Sequence, residues 1–124
     1  MERKVTSVSE LVQKVQKRSG ERRAALVEVE GVGMVKVIEP SAAVIDDAIK
    51  LGDEDGDVHV LAECVIEPSM KAPELLTGLG VPTPHEAVKK VFSRRGDRAA
   101  LAKKILALGG YDGSGVKVIG DLKN

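Results

Sequence analysis

The side chains best suited to chemistry in this chain lie close together. His59, Glu63 and Cys64 follow directly on the acidic run Asp53-Glu54-Asp55-Gly56-Asp57. Residues four apart are neighbours on a helix, so His59 and Glu63 would share a face. A histidine, a carboxylate and a thiolate can all ligate zinc, but a structural zinc site takes four such ligands. The other histidine, His85, belongs to a different element. A Cys–His pair could also make an activated nucleophile. The pattern supplies neither arrangement with its remaining members. The plainer reading puts Cys64 in the core with His59 at its edge. No catalytic residue, metal or cofactor is expected.

Three other stretches invite functional readings. The acidic run resembles a calcium loop, which needs oxygen ligands at its first and twelfth positions and glycine at its sixth. Setting Gly56 at the sixth position places Leu51 at the first and Ala62 at the twelfth. Neither can ligate, so the run reads as a solvated acidic loop. Gly109 to Gly115 is glycine-rich like a phosphate cradle, but no Gly-Lys-Ser/Thr follows it. A flexible exit from a helix explains it better. Lys89, Lys90, Arg94, Arg95, Arg98, Lys103 and Lys104 form a basic segment. It could hold phosphates as a small nucleic-acid-binding regulator does. No aromatic residues flank it for base stacking, and the overall charge is zero. Solvated helix faces are the preferred reading, and nucleic acid is not the expected target.

These residues must be positioned by one small domain, because 124 residues suit a single core. Phe92 and Tyr111 are the only aromatic residues, so Val, Leu, Ile and Ala must build that core. A single cysteine forbids an intrachain disulfide and fits a reducing compartment. The first residues show no apolar leader, and no stretch is apolar enough to span a bilayer. The expectation is a cytoplasmic protein that does not contact membranes. Charge is uneven along the chain. Residues 1–23 and 68–124 are basic, and residues 24–67 carry eleven acidic groups against two basic ones.

Ser7 and Glu10 have capping-box spacing, and Val8, Leu11, Val12 and Val15 then fall on one helical face. Ser19-Gly20 stops that helix. Ala24 to Ile38 reads as a β-hairpin turning at Gly31-Val32-Gly33. Ser41 caps a helix that places Val44, Ile45, Ala48 and Ile49 on one face and ends at Gly52. Val58 to Ile66 alternates like a strand and also repeats like a helix. The good helix formers Leu61-Ala62-Glu63 favour helix, and Pro68 ends the element either way. One or two helical turns follow at Pro73 to Gly80. Thr83-Pro84 opens a helix that buries Ala87, Val88, Val91 and Phe92. Asp97 caps a last helix facing inward with Ala100, Leu101, Ile105 and Leu108, and Gly109-Gly110 ends it. The tail carries at most a short strand at Val116–Ile119. The expected fold class is α+β, a small hairpin or sheet packed against four to five helices. The expected division is a basic arm or helix at 1–23, one domain at 24–110 and a flexible tail at 111–124.

The run Cys64 to Leu76, with its Pro68 turn and Glu74-Leu75 pair, resembles one segment of a known family. Gly80-Val81-Pro82-Thr83-Pro84 entering the helix to Phe92 is similar to its next segment. Gly96 to Gly110 resembles its last helix, and Val116 to Ile119 with Leu122-Lys123-Asn124 its short tail. The family is the XkdN-like tail assembly chaperones of PBSX-type prophages and related tailed phages. Residues 1–57 resemble it more loosely, and the basic arm and the β-branched Val58–Ile66 depart from it. The resemblance implies a non-enzymatic protein that binds the tape measure protein, with the tail tube protein as a second candidate partner, in the host cytoplasm and is absent from the mature virion. In such families a frameshifted longer form can link the two clients. Homo-oligomers are compatible with this role. A holdase needs an exposed apolar patch, and Leu75, Leu76, Leu79 and Val81 are the candidate client-binding residues.

Overall fold

The computed structural model describes residues 4–18 and 20–120. The first residues of the basic arm, Ser19 of the expected stop and the terminal Leu122-Lys123-Asn124 lie outside them.

Ser7 caps its helix as expected, although Glu10 takes the Ser7 hydroxyl and not the Ser7 backbone N–H that a full capping box would use. Ser7 Oγ accepts from the Glu10 N–H at 3.2 Å and donates to Glu10 Oε1 at 3.0 Å. It opens α1, Val8–Arg18, which buries no residue. Val8, Leu11, Val12 and Val15 are therefore all exposed. The hairpin is β1, Ala24–Val29, antiparallel to β2, Gly33–Ile38. Gly31 and Gly33 take φ of 80° and 109°, which an L side chain would resist. On β1 the alternation puts Ala25, Val27 and Val29 inward and Leu26 and Glu28 outward.

Ser41 caps α2, Ala42–Leu51, by accepting the Val44 N–H at 3.3 Å. Next comes α3, Asp53–Cys64, which runs straight into β3, Val65–Glu67. β3 pairs antiparallel with β2 and completes a three-stranded sheet in the order β1-β2-β3. The ambiguous segment is thus helix to Cys64 and strand after it. The acidic run is a correction, because it forms the first turn of α3 and not a loop. Asp53, Glu54 and Asp55 sit where the helix N-terminus favours negative charge.

Three helices close the fold. They are α4, Pro73–Leu79, α5, Pro84–Val91, and α6, Arg95–Leu108. Thr83 Oγ1 caps α5 through the Glu86 N–H at 3.2 Å. Asp97 does not cap α6. That helix starts earlier, with Arg94 at the N-cap, and Asp97 lies in its first turn near Arg94. Nor is Val116–Ile119 a strand; it is irregular and exposed. The described residues thus form six helices and one sheet, an α+β fold. None of these helices is long and apolar enough to cross a membrane.

The core joins Val35 and Val37 of β2 to Leu61 of α3, Phe92 after α5, and Leu101 and Ile105 of α6. Ala100 faces solvent, a correction to the expected apolar face of α6. Ile49 is also a correction, being 73% exposed. Val44 and Ala48 of the same apolar face pack against the core, and Ile49 is left uncovered.

Candidate functional site

The candidate cluster separates, and Cys64 lies in the core as the plainer reading has it. Cys64 is fully buried, and that burial pushes its thiol up to about 11, so the nucleophilic thiolate is suppressed near neutral pH. Glu63 forms a salt bridge with Lys71 at 2.5 Å. His59 pairs instead with His85 of α5, Nδ1 to Nε2 at 3.0 Å, one ring donating and the other accepting. His59 Nε2 is buried without a hydrogen bond, and Asp47 Oδ2 lies 3.9 Å from it. Among the described residues, no group of three or more His, Cys, Asp and Glu side chains could hold a metal ion. Sequence reading missed the histidine pair because it depends on how α3 packs on α5.

One member of the basic segment is spent inside the fold. Arg98 is buried, and its Nη1 donates to the carbonyls of Phe92 at 2.8 Å and Ser93 at 3.2 Å. Its Nη2 reaches Glu54 Oε1 at 2.8 Å. Arg95 also faces Glu54, at 3.7 Å. A guanidinium fork is suited to this task, since it satisfies carbonyls that the end of α5 leaves without helical partners. Lys89, Lys90, Lys103 and Lys104 remain exposed.

Leu75, Leu76, Leu79 and Val81 are brought together by α4 and the turn after it. Gly80 takes a left-handed φ of 68°, and the Val81 N–H returns to the Leu76 carbonyl at 3.0 Å. All four are half-buried, and Leu75 packs against the core. They form a partly covered patch.

A more open apolar surface lies between α2, α3 and the end of α6. Ile45, Ala48, Ile49, Val60, Leu106 and Tyr111 line a groove of about 450 Å³, with Asp53 and Asp57 at its edge. Ile49 and Tyr111 stand proud of it, at 73% and 55% exposure. The backbone at the end of α6 explains why Tyr111 is there. The Tyr111 N–H bonds to the Leu106 carbonyl at 3.1 Å and the Gly110 N–H to that of Ala107 at 3.0 Å, with Gly110 at φ 81°. This is a Schellman ending, which brings the residue after the glycine onto the last helical turn. Gly109-Gly110 followed by Tyr111 was its signal in the sequence. On the opposite wall Gly56 lets α3 approach α2 closely. Burial, then the neighbouring Asp53 carboxylate, hold the Asp57 carboxyl above its ordinary range, against the pull of Arg95 and Arg98.

The groove is lined mostly by aliphatic side chains, with the two carboxyls and the Tyr111 ring as its polar members. Its chemistry is that of an apolar channel with an acidic edge, suited to an amphipathic helix laid along it.

Comparison with known proteins places these elements in a family context. Residues 44–123 match the model of the phage XkdN-like tail assembly chaperone family. The matched span starts within α2 and leaves α1 and the hairpin outside. No curated protein and no solved structure matches the chain.

Proposed function

The chain belongs to the phage XkdN-like tail assembly chaperones, and on that premise we propose that it binds the phage tape measure protein and keeps it soluble until the tail tube polymerises around it. The observation that carries this reading is the open apolar groove between α2, α3 and α6. A tape measure protein is long and largely helical, with apolar stripes that associate when left uncovered. A groove lined by Ile45, Ile49, Leu106 and Tyr111 matches such a stripe at helical spacing. The client is placed here in preference to Leu75, Leu76, Leu79 and Val81, because the groove presents the exposed Ile49 and Tyr111, whereas all four of those residues are half-buried.

The action is binding and release, with no bond made or broken. It takes place in the host cytoplasm, and the protein is left out of the finished tail. The tail tube protein is a second candidate client. The proposed division is a basic arm at 1–23, a domain at 24–110 and a tail at 111–124, with Tyr111 of the tail segment lining the groove.

Co-expression with the tape measure protein tests the proposal. The wild-type chain is expected to raise the soluble fraction of the client several-fold and to co-purify with it. Ile49→Glu, a change at a largely exposed position, is expected to abolish most of that gain while leaving the fold intact. Equal precipitation of the client with and without the chain would remove the proposal.

A further inference from the structure

Two unpartnered surfaces of this chain are complementary. One is the apolar stripe of α1, where Leu11 and Val15 are 54% and 60% exposed and Val8 and Val12 extend the same face. An isolated helix of 11 residues is marginal in water, so α1 needs a surface against which to bury that stripe. The other is the groove between α2, α3 and α6, apolar along its floor.

Charge selects one for the other. Outside its stripe α1 carries Lys14, Lys17 and Arg18 against the single acid Glu10. The groove presents Asp53 and Asp57, and Glu54 nearby is already engaged by Arg95 and Arg98. Lys50 of α2 lines a different hollow, beside His59 and His85. A basic helix entering the groove would set its cations against two adjacent carboxylates.

We propose that α1 of one copy lies in the α2–α3–α6 groove of a second copy, so that the chain associates head to tail. The structure shows α1 outside the groove of its own chain. It also fixes the root of the arm. Arg22 Nη2 donates to the Glu39 carbonyl at 2.6 Å, and the Arg23 N–H to Glu39 Oε1 at 2.7 Å. Only residues 19–21 separate Arg18 from that anchor, and the Glu21 N–H bonds back to the Arg18 carbonyl at 3.0 Å. An arm held at its root and free along its apolar face projects toward a neighbour. A contact of this kind uses different surfaces on the two partners, and it closes into a ring or continues as a chain. A client helix and the arm are then alternative occupants of one groove. That last consequence rests on the proposed function, and the association itself does not.

Sedimentation of the purified full chain, with no client present, tests the association. Wild-type protein is expected to gain mass as its concentration rises through the micromolar range, and to lose that association several-fold at high salt. Leu11→Glu with Val15→Glu should be monomeric, because it blocks every arm. Ile49→Glu should be monomeric, because it blocks every groove. An equimolar mixture of the two retains one intact arm and one intact groove per pair, so it should form a dimer and nothing larger. The inference is overturned by a wild-type monomer at all concentrations, by variants that associate like wild type, or by a mixture that stays monomeric. Since no tape measure protein is present, these outcomes are separate from success or failure of the co-expression experiment.

Discussion

Arg98→Met is expected to destabilise the fold by about 3 kcal/mol and to lower its Tm by about 10 °C. Methionine keeps much of the apolar stem but removes every donor. The Phe92 and Ser93 carbonyls at the α5–α6 corner then lose their partner, and Glu54 at the start of α3 loses its closest cation. The Phe92 contact is buried, so its carbonyl cannot fully recover the bond from solvent. Glu54→Gln is the informative companion. Glutamine keeps an acceptor for Nη2 but leaves the buried Arg98 without its carboxylate, so the change should cost about 1 kcal/mol, less than loss of the whole guanidinium. Chemical denaturation of both variants measures the contrast. If Arg98→Met unfolds within about 0.5 kcal/mol of wild type, the guanidinium is incidental to the corner.

Gly56→Ala should be the second large effect, and in a direction opposite to helix propensity. Alanine in place of glycine inside a helix normally gains about 1 kcal/mol. Here the added Cβ would lie 2.6 Å from the Ala48 carbonyl oxygen and 3.3 Å from its carbon, both backbone atoms of α2. The two helices must separate, which opens the floor of the groove and disturbs Val58 and Val60 beside it. A net loss of about 2 kcal/mol is expected. Gly78→Ala in α4 supplies the control, since its Cβ would meet nothing within 4 Å. It should be neutral or stabilising by up to about 1 kcal/mol. Thermal unfolding of the pair checks this, and equal responses would contradict the close crossing of α2 on α3.

Local signals carried much of this fold. The Ser7, Ser41 and Thr83 caps stand where their side-chain spacing indicated, and the glycine turn joins two strands whose alternation is genuine. The junction at Cys64 and Val65 shows why the middle segment was ambiguous. Residues up to Cys64 obey a helical period and those after it pair with β2, so one stretch held both patterns. The acidic run misled because its charges suggest solvated loop. At a helix N-terminus the same charges are stabilising, and only the tertiary position of α3 shows that Gly56 faces α2.

The groove was half legible. The periodicity of α2 marked Ile45 and Ile49 as apolar-face residues, but spacing cannot tell a face covered by its own chain from one left open. Tyr111 was assigned to the tail, although Gly109-Gly110 before it had the composition of a Schellman ending. Leu75, Leu76, Leu79 and Val81 lie on α4 and the turn after it, all half-buried. Their degree of burial depended on how α4 settles against its neighbours, which sequence pattern does not report. The basic segment looked uniform in sequence. It is divided in the structure between Arg98, which is internal, and lysines that remain on the surface.

The most direct test of the account is the aggregation of denatured tape measure protein diluted into buffer, followed by light scattering as purified chain is added. Suppression should rise with the amount of chain and saturate near stoichiometric ratios, and Ile49→Glu should need a large excess to match it. Scattering that is unchanged by excess wild-type chain, or suppressed equally by Ile49→Glu, would contradict the claim that this groove shields apolar helical surface on another polypeptide.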